Sequence, residues 1–352
     1  MSKVFTQQAV VRVWRNVKTM GYMPTSHFGH AAVTIKGSMV PGFKQHISFW
    51  PGDYASKGNA TKKQDGGWTD TAGEDNRNEM NLLTALRLEV GYCQTHGIPY
   101  PDEYNDYLTE INKGPITAPR PGQKRLGLTD SDGLPLWSQS AEAKIPLPGI
   151  GCKERLWGLS VRRMGLWWQQ FKTTAPYYQA LGKQNCAGVA LMGLSEGGSQ
   201  AFVECPGITV YGEPVQVEKY AKELELQLQR MDDWSEQLDA DIRKGVMSGV
   251  VSSSPNDQLK DGLWTVDVWK QKSALGTFQM RSSTVREMDS ALEKYHAADW
   301  SAKFTERYKA LVKLFLAIVK HRQDKSDSAR SEAVLRLGSQ ILTIVRNPGP
   351  IW

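Results

Sequence analysis

Gln184-Asn185-Cys186-Ala187-Gly188-Val189-Ala190-Leu191 decides how this chain is read. A polar pair, a cysteine and an apolar run predict a buried helix with the cysteine in its first turn. The N–H groups and the positive end of the helix dipole at such a start favour a thiolate, the nucleophilic form of cysteine. Far upstream, His30-Ala31-Ala32-Val33-Thr34-Ile35 and His46-Ile47-Ser48-Phe49-Trp50 read as strand segments, each led by a histidine. A cysteine, a base and a residue that orients the base are the minimum set for thiol-based acyl transfer.

The rest of the composition narrows the class. With 352 residues, 40% hydrophobic and 23% charged, the chain is long and apolar enough for two domains or one large decorated one. The net charge of +6 is spread along the chain with no dense Lys/Arg block. It fits an anionic membrane surface or polymer and gives nucleic-acid binding only weak support, and a solvated mixed-charge surface is the favoured reading. Of the twelve tryptophans, most are expected in the core, and Trp50, Trp167 and Trp168 are the candidates to line an acyl-chain groove or a membrane contact. Cys93, Cys152, Cys186 and Cys205 show no Cys-x-x-Cys pairing, so neither structural zinc nor a disulfide scaffold is expected, and the chemistry requires no metal or cofactor. The start of the chain lacks a Sec-type signal, and no run of eighteen apolar residues occurs. The expectation is a protein made in the cytoplasm that needs some other route to act elsewhere.

Periodicity and punctuation predict the order of elements. Residues 9–19 form a strand or short helix, 28–35 and 45–50 are strands, and 51–77 is a loop. Residues 78–95 are helical, and the Pro- and Gly-rich stretch 97–151 wraps over the surface, so that 51–150 is a long insertion. Helices follow near 153–171 and from Cys186 to the Gly197-Gly198 stop, then a charged helix over 216–243 and a Ser/Pro/Asn linker over 252–257. Three more helices lie near 282–297, 300–322 and 326–346. The division expected is a mixed α and β region, 1–212, and a mainly helical region, 213–352.

A rival nucleophile sits nearby. Gly193-Leu194-Ser195-Glu196-Gly197 fits the Gly-x-Ser-x-Gly pattern of a strand-to-helix elbow. An α/β-hydrolase needs further strands after the elbow that bear an acid and a histidine. Charged helix follows instead, and the downstream histidines, His296 and His321, lie in helical patterns. Ser195 therefore reads as the tail of the Cys186 helix.

A histidine-bearing strand, a second polar strand and a later Asn-Cys helix are carried by Gly29-His30-Ala31-Ala32-Val33, His46-Ile47-Ser48-Phe49-Trp50-Pro51, and Tyr178 followed by Asn185-Cys186. This order resembles the circularly permuted papain-like branch of the NlpC-type superfamily, which includes lecithin:retinol acyltransferase-like proteins. The Ser48-Phe49-Trp50-Pro51-Gly52 piece is also similar to antibacterial effectors of this superfamily delivered by type VI secretion. The resemblance covers about residues 20–200 and is silent on 213–352; the stretch between His46 and Cys186 is longer than in the compact members. It implies an α+β fold, a permuted papain-like domain with an antiparallel sheet and a nucleophile helix, followed by the helical C-terminal region. It also implies Cys186 as nucleophile, His30 as general base and His46 as the third polar residue. The Cys186 N–H, with the side chain of Gln184 or Asn185, is the candidate to stabilise an oxyanion. The expected activity is hydrolysis or transfer of a phospholipid acyl group. A peptidoglycan amidase or endopeptidase using the same site is the alternative, and a non-catalytic toxin adaptor or binding module is a further one. Such a toxin implies a cognate immunity protein, a secretion apparatus or adaptor, and action at the envelope of a target cell.

Overall fold

In a computed structural model, residues 5–15, 30–37, 44–47, 49–50, 68–69, 142–173, 185–206, 214–247, 258–274, 283–298, 304–323 and 328–348 are described. Alternating small and branched residues set the sheet. Strands β1 (Gln8–Trp14), β2 (His30–Lys36), β3 (Lys44–Ile47) and β6 (Ala143–Pro148) pair antiparallel in the order β3-β2-β1-β6. The register aligns Val11 with Val33 and Ile145, Ala9 with Ile35 and Leu147, and Val33 with Ile47. Residues in register share a face of the pleat, so these side chains form one apolar surface, and all of them join the core. A separate two-stranded ladder pairs β4 (Phe49–Trp50) with β5 (Trp68–Thr69).

Three helices pack on this sheet: α1 (Val161–Thr173), α2 (Cys186–Glu196) and α3 (Pro214–Met247). Helix α2 is buried nearly all round, whereas α3 buries a stripe at helical spacing that includes Val217, Tyr220, Ala221, Leu224, Leu228 and Met231. The forked pair from Arg15 Nε and Nη2 to Glu218, at 2.9 and 2.6 Å, ties the end of β1 to α3. With Lys222 as a second partner, Arg15 holds the Glu218 carboxyl down at about 2.

Beyond α3 come a hairpin, β7 (Leu259–Lys260) and β8 (Leu263–Trp264), and helices α4 (Val266–Ala274), α5 (Ser283–Ala297), α6 (Phe304–Gln323) and α7 (Ser328–Arg346). The hairpin turns on Asp261 and Gly262, at φ 54° and 83°, the left-handed pair that a two-residue turn requires. The helical region shares one continuous core with the sheet. Trp157 stacks on Tyr308 at 6.5 Å between ring centres and lies 5.0 Å from Phe315. The Tyr308 hydroxyl donates to the Gly158 carbonyl at 2.9 Å. Each such buried aromatic contributes on the order of 2 kcal/mol.

The fold class is mixed α and β with an antiparallel sheet and a helical C-terminal region, and the 216–243, 282–297, 300–322 and 326–346 helices all form close to their expected bounds. The structure departs from the sequence reading at several places. The 45–50 strand is split between β3 and β4, which belong to different ladders. Trp68–Thr69 is a strand within the stretch expected as loop. The end of the expected surface insertion is β6, whose Ile145 and Leu147 are buried. Helix α1 begins at Val161 rather than near 153, because the preceding residues are held in an irregular loop. There Asp232 Oδ1 accepts the N–H groups of Leu156 and Trp157 at 3.0 and 3.2 Å, and Asp232 Oδ2 pairs with Arg155 at 3.0 Å. The expected helix at 78–95 and the linker at 252–257 lie outside the described residues.

Candidate functional site

The site is built at the start of α2. Asn185 is its N-cap, extended at φ −114° and ψ 179°. Its side-chain Oδ1 accepts the Gly188 N–H at 2.8 Å, and its backbone carbonyl accepts the Val189 N–H at 2.9 Å. The chain therefore enters the helix in one fixed geometry, and Cys186 is the first helical residue. Asn185 is 4% exposed and Cys186 6%, so charge at this point is weakly screened.

Small residues let α2 settle close to its neighbours. A Cβ on Gly193 would stand 3.1 Å from Ile47 Cδ1 and 3.3 Å from Trp167 Cζ3. At the far end the Gly197 N–H reaches the Gly193 carbonyl and the Gly198 N–H the Ser195 carbonyl, with Gly198 at φ 88°. Ser195 thus lies in the last turn of α2, as expected, and its hydroxyl accepts from Gln200 Nε2 at 2.6 Å. No strand-to-helix elbow exists there.

Helix α2 rests on β2 and also touches β3 and β4. Those strands carry His30, His46 and Trp50. His30 is the first residue of β2, opposite Trp14, and His46 lies opposite Thr34. The structure thus brings the helix of Cys186 and the strands of both histidines into one packed unit; the side chains of His30, His46 and Trp50, and all of Gln184, lie outside the described residues. Trp167 and Trp168 sit on α1, beside α2, and cluster with Phe171 at ring separations of 5.2 and 5.4 Å. Trp168 is wholly in the core, Trp167 is half-buried, and the neighbouring Leu166 is 57% exposed.

The other thiols differ from Cys186 in setting. Cys152 is buried, donates to the Arg155 carbonyl at 3.4 Å, and has its pKa pushed up by burial. Burial also pushes up the half-buried Cys205. None of the three described cysteines is in a disulfide. His296 and His321 are far along the helical region, with His296 Nε2 on the Trp264 carbonyl at 2.9 Å and His321 Nδ1 on the Thr284 hydroxyl at 3.2 Å. Among the described residues no group of three or more His, Cys, Asp or Glu could hold a metal ion, and no helix is long and apolar enough to cross a membrane. Asn185, expected from sequence as a candidate to stabilise an oxyanion, has its side-chain oxygen engaged as the cap of α2, and the signal for that cap was the Asn at the start of an apolar run.

Sheet, buried helix and leading cysteine define a mixed α and β protein with a thiol at a helix start. The chain belongs to the IcsB middle domain family, whose family model matches residues 3–246. The matched region ends within α3, so the hairpin and the helices α4 to α7 lie beyond it. No curated protein and no solved structure matches the chain.

Proposed function

We propose that the chain is a cysteine-dependent acyl hydrolase or acyltransferase of permuted papain-like architecture that acts on phospholipid esters. The observation that carries this reading is the placement of Cys186 as the first residue of a capped, buried helix packed on the strands of His30 and His46. His30 takes the thiol proton, and the Cys186 sulfur attacks the ester carbonyl carbon. The C–O bond breaks, and the alcohol leaves with the proton returned by His30. Water, or an acceptor alcohol or amine, then attacks the thioester; the C–S bond breaks, the acyl product departs and the thiol is restored. His46 fixes the tautomer of His30, and Trp50 and Trp167 provide the apolar lining, whereas Trp168, expected to join them, is buried in the core. In this reading the protein is an antibacterial effector, delivered to the envelope of a target cell by a type VI secretion apparatus and neutralised at home by an immunity protein.

The test is release of fatty acid from phospholipid vesicles by the purified protein, with Cys186→Ala as control. Release abolished by C186A is the expected result. Cleavage of muropeptides but not of vesicles would replace the lipid substrate with a peptidoglycan bond. Toxicity that survives C186A would replace the enzyme with a binding module.

A further inference from the structure

Asn, Asp and Ser cap helices about equally well, yet the three are not equivalent beside a thiolate. At this helix start the cap is a neutral amide. Asn185 Oδ1 satisfies the Gly188 N–H, and the Asn185 carbonyl satisfies the Val189 N–H. The first turn is thereby closed without adding charge, and the partial positive charge at the helix end, roughly half a unit, stays available to the next residue. That residue is Cys186, and both positions are almost wholly buried. A carboxylate in place of the amide would make the same hydrogen bond, cancel the positive end of the helix and put a like charge next to the sulfur where solvent screens little.

We propose that Asn185 is a positioning residue for Cys186, a neutral cap that fixes the first turn of α2 while leaving the helix dipole to the thiolate. The proposal rests on Cys186 as the nucleophile. It assigns the amide, rather than a carboxylate, a chemical purpose.

Alkylation by iodoacetamide across a pH series, with each cysteine followed by peptide mass mapping, tests it. In the unmodified protein Cys186 should react faster than Cys152 and Cys205. In N185D, with the urea midpoint unchanged, Cys186 should react about tenfold more slowly at pH 7, with its profile moved to higher pH. N185S should retain the original profile. A profile for N185D that matches the unmodified protein would overturn the proposal while leaving the nucleophile in place. A Cys186 no faster than the other thiols would instead remove the nucleophile reading itself. Should N185D not fold, N185S and N185A decide. The neutral cap must keep the rate and the uncapped variant must lose it, and equal rates in the two would refute the positioning role.

Discussion

Asp232→Ala should be among the most damaging single changes outside the site. Asp232 is 7% exposed and its side chain serves three donors: the N–H groups of Leu156 and Trp157 on one oxygen and the Arg155 guanidinium on the other. Truncation leaves the buried Trp157 N–H and the part-buried Leu156 N–H without an acceptor. An orphaned buried donor costs about 1–3 kcal/mol. Arg155 can turn toward water, so its loss adds less, and a total of about 3–4 kcal/mol follows. Asp232→Asn keeps an oxygen for both N–H groups and loses only the charge pair, so it should cost about 1–2 kcal/mol. Urea unfolding followed by tryptophan fluorescence reads both, since Trp157 lies against the affected loop. A D232A loss under 1 kcal/mol, or equal losses in the two variants, would refute the assignment of the two N–H bonds as the main contribution. The pH dependence gives a second check. Burial raises the Asp232 carboxyl pKa above its ordinary 3.8 despite its three donors. The folded state therefore holds this proton more tightly than the unfolded chain. The associated stability is full below 3.8 and is lost as pH rises through the folded value, and D232N should lack that slope.

Gly198→Ala should destabilise by roughly 1–3 kcal/mol in the same assay, because Gly198 sits at φ 88° and a Cβ there would stand 2.8 Å from the Tyr308 ring. A chain ending at Met247 should lose cooperative unfolding and bind a hydrophobic dye, since Trp157 and Phe202 would lose Tyr308 and Phe315 as packing partners. His296 is held neutral by burial, with Lys260 and Arg307 nearby outweighing the opposing effect of Asp261, and its pKa is lowered. Its contribution is present above 6.5 and is lost as pH falls through the folded value. Urea midpoints taken downward from pH 6.5 should therefore fall faster in the unmodified protein than in H296Q, and parallel curves would show that His296 does not titrate in that range.

Helix α2 and the strands that carry His30 and His46 were legible because each rests on local signals. A polar cap before an apolar run marks α2, and alternation of Ala31, Val33 and Ile35 marks β2. Strand β6 was hidden by Pro146 and Pro148, which argue against a ladder. They are tolerated because β6 is an edge strand bonded only to β1, so the side without N–H groups can face away. The Pro148 carbonyl on that outer side accepts the Leu159 N–H at 2.8 Å. The late start of α1 was hidden for a different reason. Its cause is Asp232, some seventy-six residues away from Leu156, and no window of local sequence contains both. The Ser160 that precedes α1, with Oγ 3.4 Å from the Arg163 N–H, was the local clue. Asp261-Gly262 was an equally local hairpin signal. The union of the helical region with the sheet depended on partners 150 residues apart, such as the Tyr308 hydroxyl and the Gly158 carbonyl.

Helix α3 has 34 residues and so runs for about 50 Å. Its first half packs on the sheet and α2, and it also packs against α7, where Leu238 fits against Gly338. A single unbroken rod of this kind cannot be half released, because opening either end strands the apolar stripe of the other. Amide hydrogens in its middle, around Leu224 to Met231, should exchange only through global opening, whereas the hairpin at Asp261 should exchange through smaller fluctuations. The rod then sets the size of the cooperative unit. That unit extends past residue 246, where the family match ends, into the helices that follow.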